Sequence, residues 1–180
     1  RRQPATRIHM ISDSSREHRR QASSRGPVSV GVITVSDSRT ADSDVNGEYL
    51  RHAIGEAGHR AAGYEIVPDD PEPLLEALRR MTDSAEIVII NGGTGISPRD
   101  RTYDVLERTL EKRLPGFGEL FRMLSFEQVG AAAMLSRATA GLYRGRVIFS
   151  VPGSPAAVQL ARERLIEPEL THLVWDLGRG

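Results

Sequence analysis

Residues 91–104, Asn-Gly-Gly-Thr-Gly-Ile-Ser-Pro-Arg-Asp-Arg-Thr-Tyr-Asp, gather groups suited to holding an anion. Gly92, Gly93 and Gly95 allow positive φ and place no Cβ between backbone amides and a ligand. Thr94 and Ser97 add hydroxyl donors, and Arg99 adds a donor that stays charged. An apolar run, residues 86–90, precedes the segment, and a helical pattern begins near Thr102. A strand, a glycine-rich turn and a helix in that order present amides and a helix N-terminus to solvent, a site suited to phosphate. Asp100 would repel a bare phosphate. It fits if Mg²⁺ stands between them, because that ion takes oxygen ligands and bridges phosphates. The alternative is a tight turn in which Asp100 caps the following helix.

Other chemistries are excluded or disfavoured. Gly93-Thr-Gly95 is followed by Ile-Ser-Pro98, without the third glycine of a dinucleotide fingerprint. The only lysine, Lys112, lies in a stretch read as helical, so there is no P-loop. Gly153-Ser154-Pro155 lacks the spacing of a hydrolase nucleophile elbow. There are no cysteines, and the five histidines are scattered, so thiolate chemistry is impossible and a histidine metal site is disfavoured. The formal net charge is zero, which provides no overall field toward nucleic acid or membranes. No apolar run approaches a membrane span, so a soluble cytoplasmic protein is expected. Residues 1–27 carry seven arginines against Asp13 and Glu17 and have no apolar periodicity. They read as a disordered basic tail or an expression remnant, and nucleic-acid binding by them is not favoured.

The elements that must position these groups alternate. Val28–Val35 is β-branched and apolar, a buried strand, and a polar loop containing Ser36 and Asp37 follows. Asn46 to Gly58 reads as a helix, Ala61 to Val67 as a strand, and the helix after Pro68-Asp69-Asp70 runs to about Met81. The glycine turn is next, then a helix from about 102 to 112, and another helix beyond Pro115. Ala131 to Ala140 is a strand or a connection. Arg146–Val151 is a strand ending at Pro152-Gly-Ser-Pro155, where Ser154 suits an N-cap and Pro155 the first helical position. A helix follows to about Leu165, and Pro168–Leu177 also reads as helical. This alternation predicts one α/β domain over residues 28–180, with a mostly parallel sheet between helical layers. Ligands of such sheets bind at the carboxyl ends of strands. The turns at Ser36-Asp37, Asp69, Gly92–Asp100 and Gly153-Ser154 all belong to that end. The apolar residues of 114–126 serve either the core or a subunit contact, and core is the commoner use.

Several stretches together resemble one family. They are Ser36-Asp-Ser-Arg-Thr40, Asp44-Val-Asn-Gly47, Pro68-Asp69, Gly92-Gly-Thr-Gly-Ile-Ser-Pro-Arg-Asp100, Pro115-Gly-Phe-Gly-Glu119, Leu135-Ser-Arg-Ala138 and Pro152-Gly-Ser-Pro155. In this order, over about Val28 to Leu173, they resemble the molybdopterin-binding MoaB/Mog family. The resemblance implies a three-layer α/β/α fold and a homotrimer. It implies molybdenum cofactor biosynthesis, by Mg²⁺-dependent adenylylation of molybdopterin with ATP and release of pyrophosphate. Gephyrin's N-terminal domain shares that fold and activity. By motif, the family's catalytic carboxylates fall on Asp69 and Asp100; Asp100, alone or with Asp69, is expected to position Mg²⁺ and the triphosphate. Its substrate pocket falls on Gly92, Gly93, Thr94, Gly95, Ser97 and Ser154, with Ser36, Asp37 and Gly153 at the same sheet end. Some family members bind the pterin without catalysing adenylylation, which is the alternative function. Asp69 is equally an ordinary turn residue.

Overall fold

The computed structural model describes residues 25–178. The basic stretch 1–27 lies outside the described residues except at its end, where Arg25 pairs with Glu86 at 2.7 Å.

Six strands form one mixed sheet in the order β2-β1-β3-β6-β5-β4. These are β1 (Ser29–Val35), β2 (Arg60–Val67), β3 (Ile87–Asn91), β4 (Lys112–Arg113), β5 (Thr139–Tyr143) and β6 (Arg146–Val151). β2, β1, β3 and β6 run parallel, while β5 and β4 close one edge antiparallel. Every residue of β1 and β3 is buried, as expected of strands covered on both faces. The sheet therefore has two cores. On one face Val30, Val32, Ile87, Ile89, Val147 and Phe149 pack with α1 (Val45–Glu56), α4 (Pro115–Val129) and α5 (Pro155–Ala161). On the other, Ile33, Val88, Ile90 and Ile148 meet α2 (Pro71–Ser84) and α3 (Thr102–Thr109). This is the three-layer α/β/α architecture expected, with α6 (Leu170–Leu177) packed onto the first core. Among the described residues no helix is long and apolar enough to cross a membrane.

Three local readings change. The helix from Thr102 stops at Thr109, and Lys112 lies in an edge strand. The amides of Glu111 and Leu114 bond to Leu142 and Ala140 of β5, so pairing with β5 displaces helical continuation. Ala131–Ala140 divides into a 3₁₀ turn (Gly130–Leu135) and the start of β5. On α4, Phe117, Phe121 and Leu124 are core, but Leu120, Met123 and Phe126 are exposed. The stripe is thus core on one side only.

Candidate active site

β3 ends at Asn91 and the chain turns at once. Gly92 and Gly93 have φ of 106° and 65°, the left-handed region where glycine is favoured. The Gly92 amide bonds to Val151 O at 3.0 Å, joining this loop to the end of β6. Gly153 follows two residues on, and a Cβ there would lie 3.2 Å from Gly92 Cα. The two glycine turns therefore touch, although about sixty residues separate them. They form one wall of a cleft of about 500 Å³, within the range of small-molecule sites. Gly92–Gly95, Asp100, Gly153 and Ser154 line it, facing Ser125, Gln128 and Val129 of α4 and the 3₁₀ turn at Ala132–Leu135.

Among the described residues the amides of Gly93, Thr94, Gly95 and Ile96 have no protein acceptor. Consecutive free amides in a glycine loop make a nest for an anion. Asp100 folds back over the loop, with Oδ2 accepting from the Ser97 amide at 3.0 Å. Among the described residues its other oxygen has no protein donor, and the side chain stands against Gly95. An Mg²⁺ ion typically takes one or two protein carboxylates plus phosphate oxygens. Asp100 fits that role; among the described residues there is no group of three or more acidic or histidine side chains to cage an ion without substrate.

The remaining expected residues lie at the same sheet end but outside the cleft lining. Ser36 Oγ accepts from the amides of Ser38 and Arg39, and Asp37 Oδ1 accepts from the Asp69 amide at 3.1 Å. Asp69 sits behind the loop. Its Oδ1 accepts from the Arg101 amide at 3.0 Å, so Asp69, not Asp100, holds the start of α3. A Cβ on Gly93 would lie 2.6 Å from Asp69 Oδ2 and would overlap the buried hydroxyl of Thr102. Burial pushes the Asp69 carboxyl above its usual range; the Arg101 amide opposes this, and the charges of Asp100 and Asp37 add to it. Ser97 is exposed, and its Oγ accepts from the Arg99 amide at 3.4 Å. Ser154 caps α5, accepting from the Ala157 amide at 3.3 Å, so its capping geometry is present beside its place in the cleft.

A probable-molybdopterin-binding-domain family model matches residues 31–172. Molybdenum cofactor biosynthesis protein B of Bacillus subtilis (strain 168) is 45% identical over 169 residues, covering 92% of this chain and 98% of that protein. The chain belongs to the MoaB/Mog family. A crystal structure of a molybdenum cofactor biosynthesis protein B is similar with TM-score 0.83 at 44% identity, covering 86% of this chain and 98% of that one. The tungsten cofactor synthesizing protein MoaB from Pyrococcus furiosus is similar with TM-score 0.77 at 38% identity, covering 84% and 97%. The MoaB/Mog fold thus spans nearly everything described here.

Two buried or half-buried residues that sequence reasoning did not single out organise this MoaB/Mog cleft. Asn46 of α1, only 2% exposed, donates to Asn91 Oδ1 at 3.0 Å and to Gly153 O at 2.8 Å. Asn91 in turn donates to Thr34 Oγ1 at 2.9 Å. Arg137, just after the 3₁₀ turn, donates to three carbonyls of the glycine loop. Both lie in stretches that carry the family resemblance, Asp44–Gly47 and Leu135–Ala138. Their motifs were visible, but their contacts were not.

Proposed function

We propose that this chain acts in molybdenum cofactor biosynthesis by transferring the adenylyl group of MgATP to molybdopterin. The observation that carries this reading is the row of free amides from Gly93 to Ile96, of which Gly93, Thr94 and Gly95 line one cleft with Asp100. The family membership supports the choice of pterin. In the reaction, an oxygen of the molybdopterin phosphate forms a bond to the α-phosphorus of ATP. The bond from that phosphorus to the bridging oxygen breaks, and pyrophosphate leaves with the electron pair. No side chain needs to remove a proton, because a phosphate dianion is already nucleophilic near neutral pH.

The difficulty is the repulsion of two anions. The amides from Gly93 to Ile96, together with Thr94, hold the pterin phosphate and offset its charge at fixed positions. Gly153 and Ser154 close the other side. Asp100, with Asp69 behind it, would hold the ion that arrives with ATP, and a bound ion there would neutralise charge on the triphosphate. Ser36, Asp37 and Ser97 border the same sheet end and take the part of the nucleotide that reaches beyond the cleft. The active form is a homotrimer, supported by the exposed apolar side of α4.

Pyrophosphate release from MgATP, measured with and without molybdopterin, tests the reading. Release should require the pterin and should be lost in Asp100→Ala with the fold unchanged. Tight pterin binding without release would move the chain to the binding-only members of its family. Wild-type turnover by Asp100→Ala would remove Asp100 from the mechanism.

A further inference from the structure

Arg137 directs its guanidinium at five protein oxygens. Nε donates to Thr94 O at 3.2 Å, and Nη2 donates to Gly95 O and to Asp100 O, the latter at 2.9 Å. Nη1 donates to both carboxylate oxygens of Asp104 at 3.1 Å. The guanidinium also stacks on Tyr103, 4.9 Å from the ring centre. With Nε and Nη2 committed to loop carbonyls, Nη1 turned to Asp104 and the side chain absent from the cleft lining, Arg137 does not face a substrate in the cleft.

Its effect runs through the peptide planes. In a trans peptide the carbonyl of one residue and the amide of the next point in opposite directions. Drawing the carbonyls of Thr94 and Gly95 onto the guanidinium therefore turns the amides of Gly95 and Ile96 away from it. Those amides are among the ones with no protein acceptor. The third peptide confirms the pattern, since its carbonyl, Asp100 O, rests on Arg137 and its amide, Arg101 N, rests on Asp69 Oδ1. We propose that Arg137 is the positioning residue of the anion loop, fixing three carbonyls on one side so that the amides stay presented to a phosphate on the other. The inference rests on the reading that this loop takes the molybdopterin phosphate.

An arginine is required for this, because three carbonyls and a carboxylate converge on one rigid planar fork. A lysine ammonium is a point charge and cannot span them. Arg137→Lys therefore keeps the charge and most of the stem while losing the grip. The test compares binding of molybdopterin and of its dephosphorylated form by wild type, Arg137→Lys and Arg137→Gln, with folding checked by circular dichroism. Wild type should prefer the phosphorylated pterin. In either folded variant that preference should fall about 10- to 100-fold, as expected for hydrogen bonds to a charged group, with affinity for the dephosphorylated form little changed. Equal weakening of both ligands would mean a merely structural role and would overturn the proposal, as would an unchanged preference. Wild type that fails to bind molybdopterin, or binds both forms alike, would overturn the loop's assignment to phosphate and the inference with it.

Discussion

At Gly93 a φ of +65° combines with a close approach to Thr102 and Asp69, so any side chain is both strained and crowded. Gly93→Val should cost about 1–3 kcal/mol of stability and weaken binding of the phosphorylated pterin; an unchanged pterin affinity would show that the loop is only a turn. Asp69 makes a different kind of prediction. Its carboxyl is pushed above the usual range chiefly by burial, and also by Asp100 and Asp37. The folded state therefore holds this proton more tightly than the unfolded state. Its contribution to stability is fully present below the unfolded value and is lost as pH rises through the raised folded value. Asp69→Asn keeps an acceptor for the Arg101 amide and removes the charge. It should melt above wild type at neutral pH, with the advantage fading as pH falls toward the ordinary carboxylate range, while pyrophosphate release falls. A melting difference independent of pH would contradict this account. A carboxylate whose removal raised stability while lowering turnover would carry the expected mark of a working site.

At the scale of elements, Asn46 ties α1 to the end of β3 and to the Pro152–Pro155 turn through a buried amide. Asn46→Ala would leave Asn91 Oδ1 and Gly153 O short of a donor, a cost of about 1–3 kcal/mol. Chemical denaturation should show that loss, and the pterin should bind more weakly because the second glycine turn is no longer held. The strands and helices were legible because their signals are local: β-branched runs at 28–35 and 146–151, and glycines at the turns. The short β4 was not legible, since only the pairing of Glu111 and Leu114 with β5 draws residues 112–113 out of the helical pattern. The same reason hid how the site is held. The Asn46–Gly153 bond spans 107 residues and the Arg137–Thr94 bond spans 43. No spacing within a motif encodes such contacts. The Pro68-Asp69 motif marks Asp69 only as a candidate, and its grip on the start of α3 follows from the fold alone.

At the scale of the molecule, Leu120, Met123, Phe126, Val129, Met134 and Leu135 are exposed together along α4 and the turn after it, with Phe126 62% and Met134 78% open. Apolar surface gathered in this way marks an interface more often than chance. Sedimentation should find wild type as a trimer and Phe126→Asp shifted toward monomer. A wild-type protein that stays monomeric at micromolar concentration would remove the homotrimer from the proposed function. Because Val129 and Leu135 also line the cleft, the same shift should alter pterin affinity.

The strand order has a consequence for how the protein is made. β3 lies between β1 and β6, and β6 is not synthesised until residue 151. A growing chain that has folded β1, β2 and β3 therefore carries an unpaired edge, apolar from Ile87 to Ile90, for more than fifty residues of further translation. Such an edge invites pairing with other chains. The anion cleft is also unavailable throughout that interval, because Gly153 has not yet met Gly92. The pterin therefore meets a complete cleft only once β6 and the Pro152–Pro155 turn are in place.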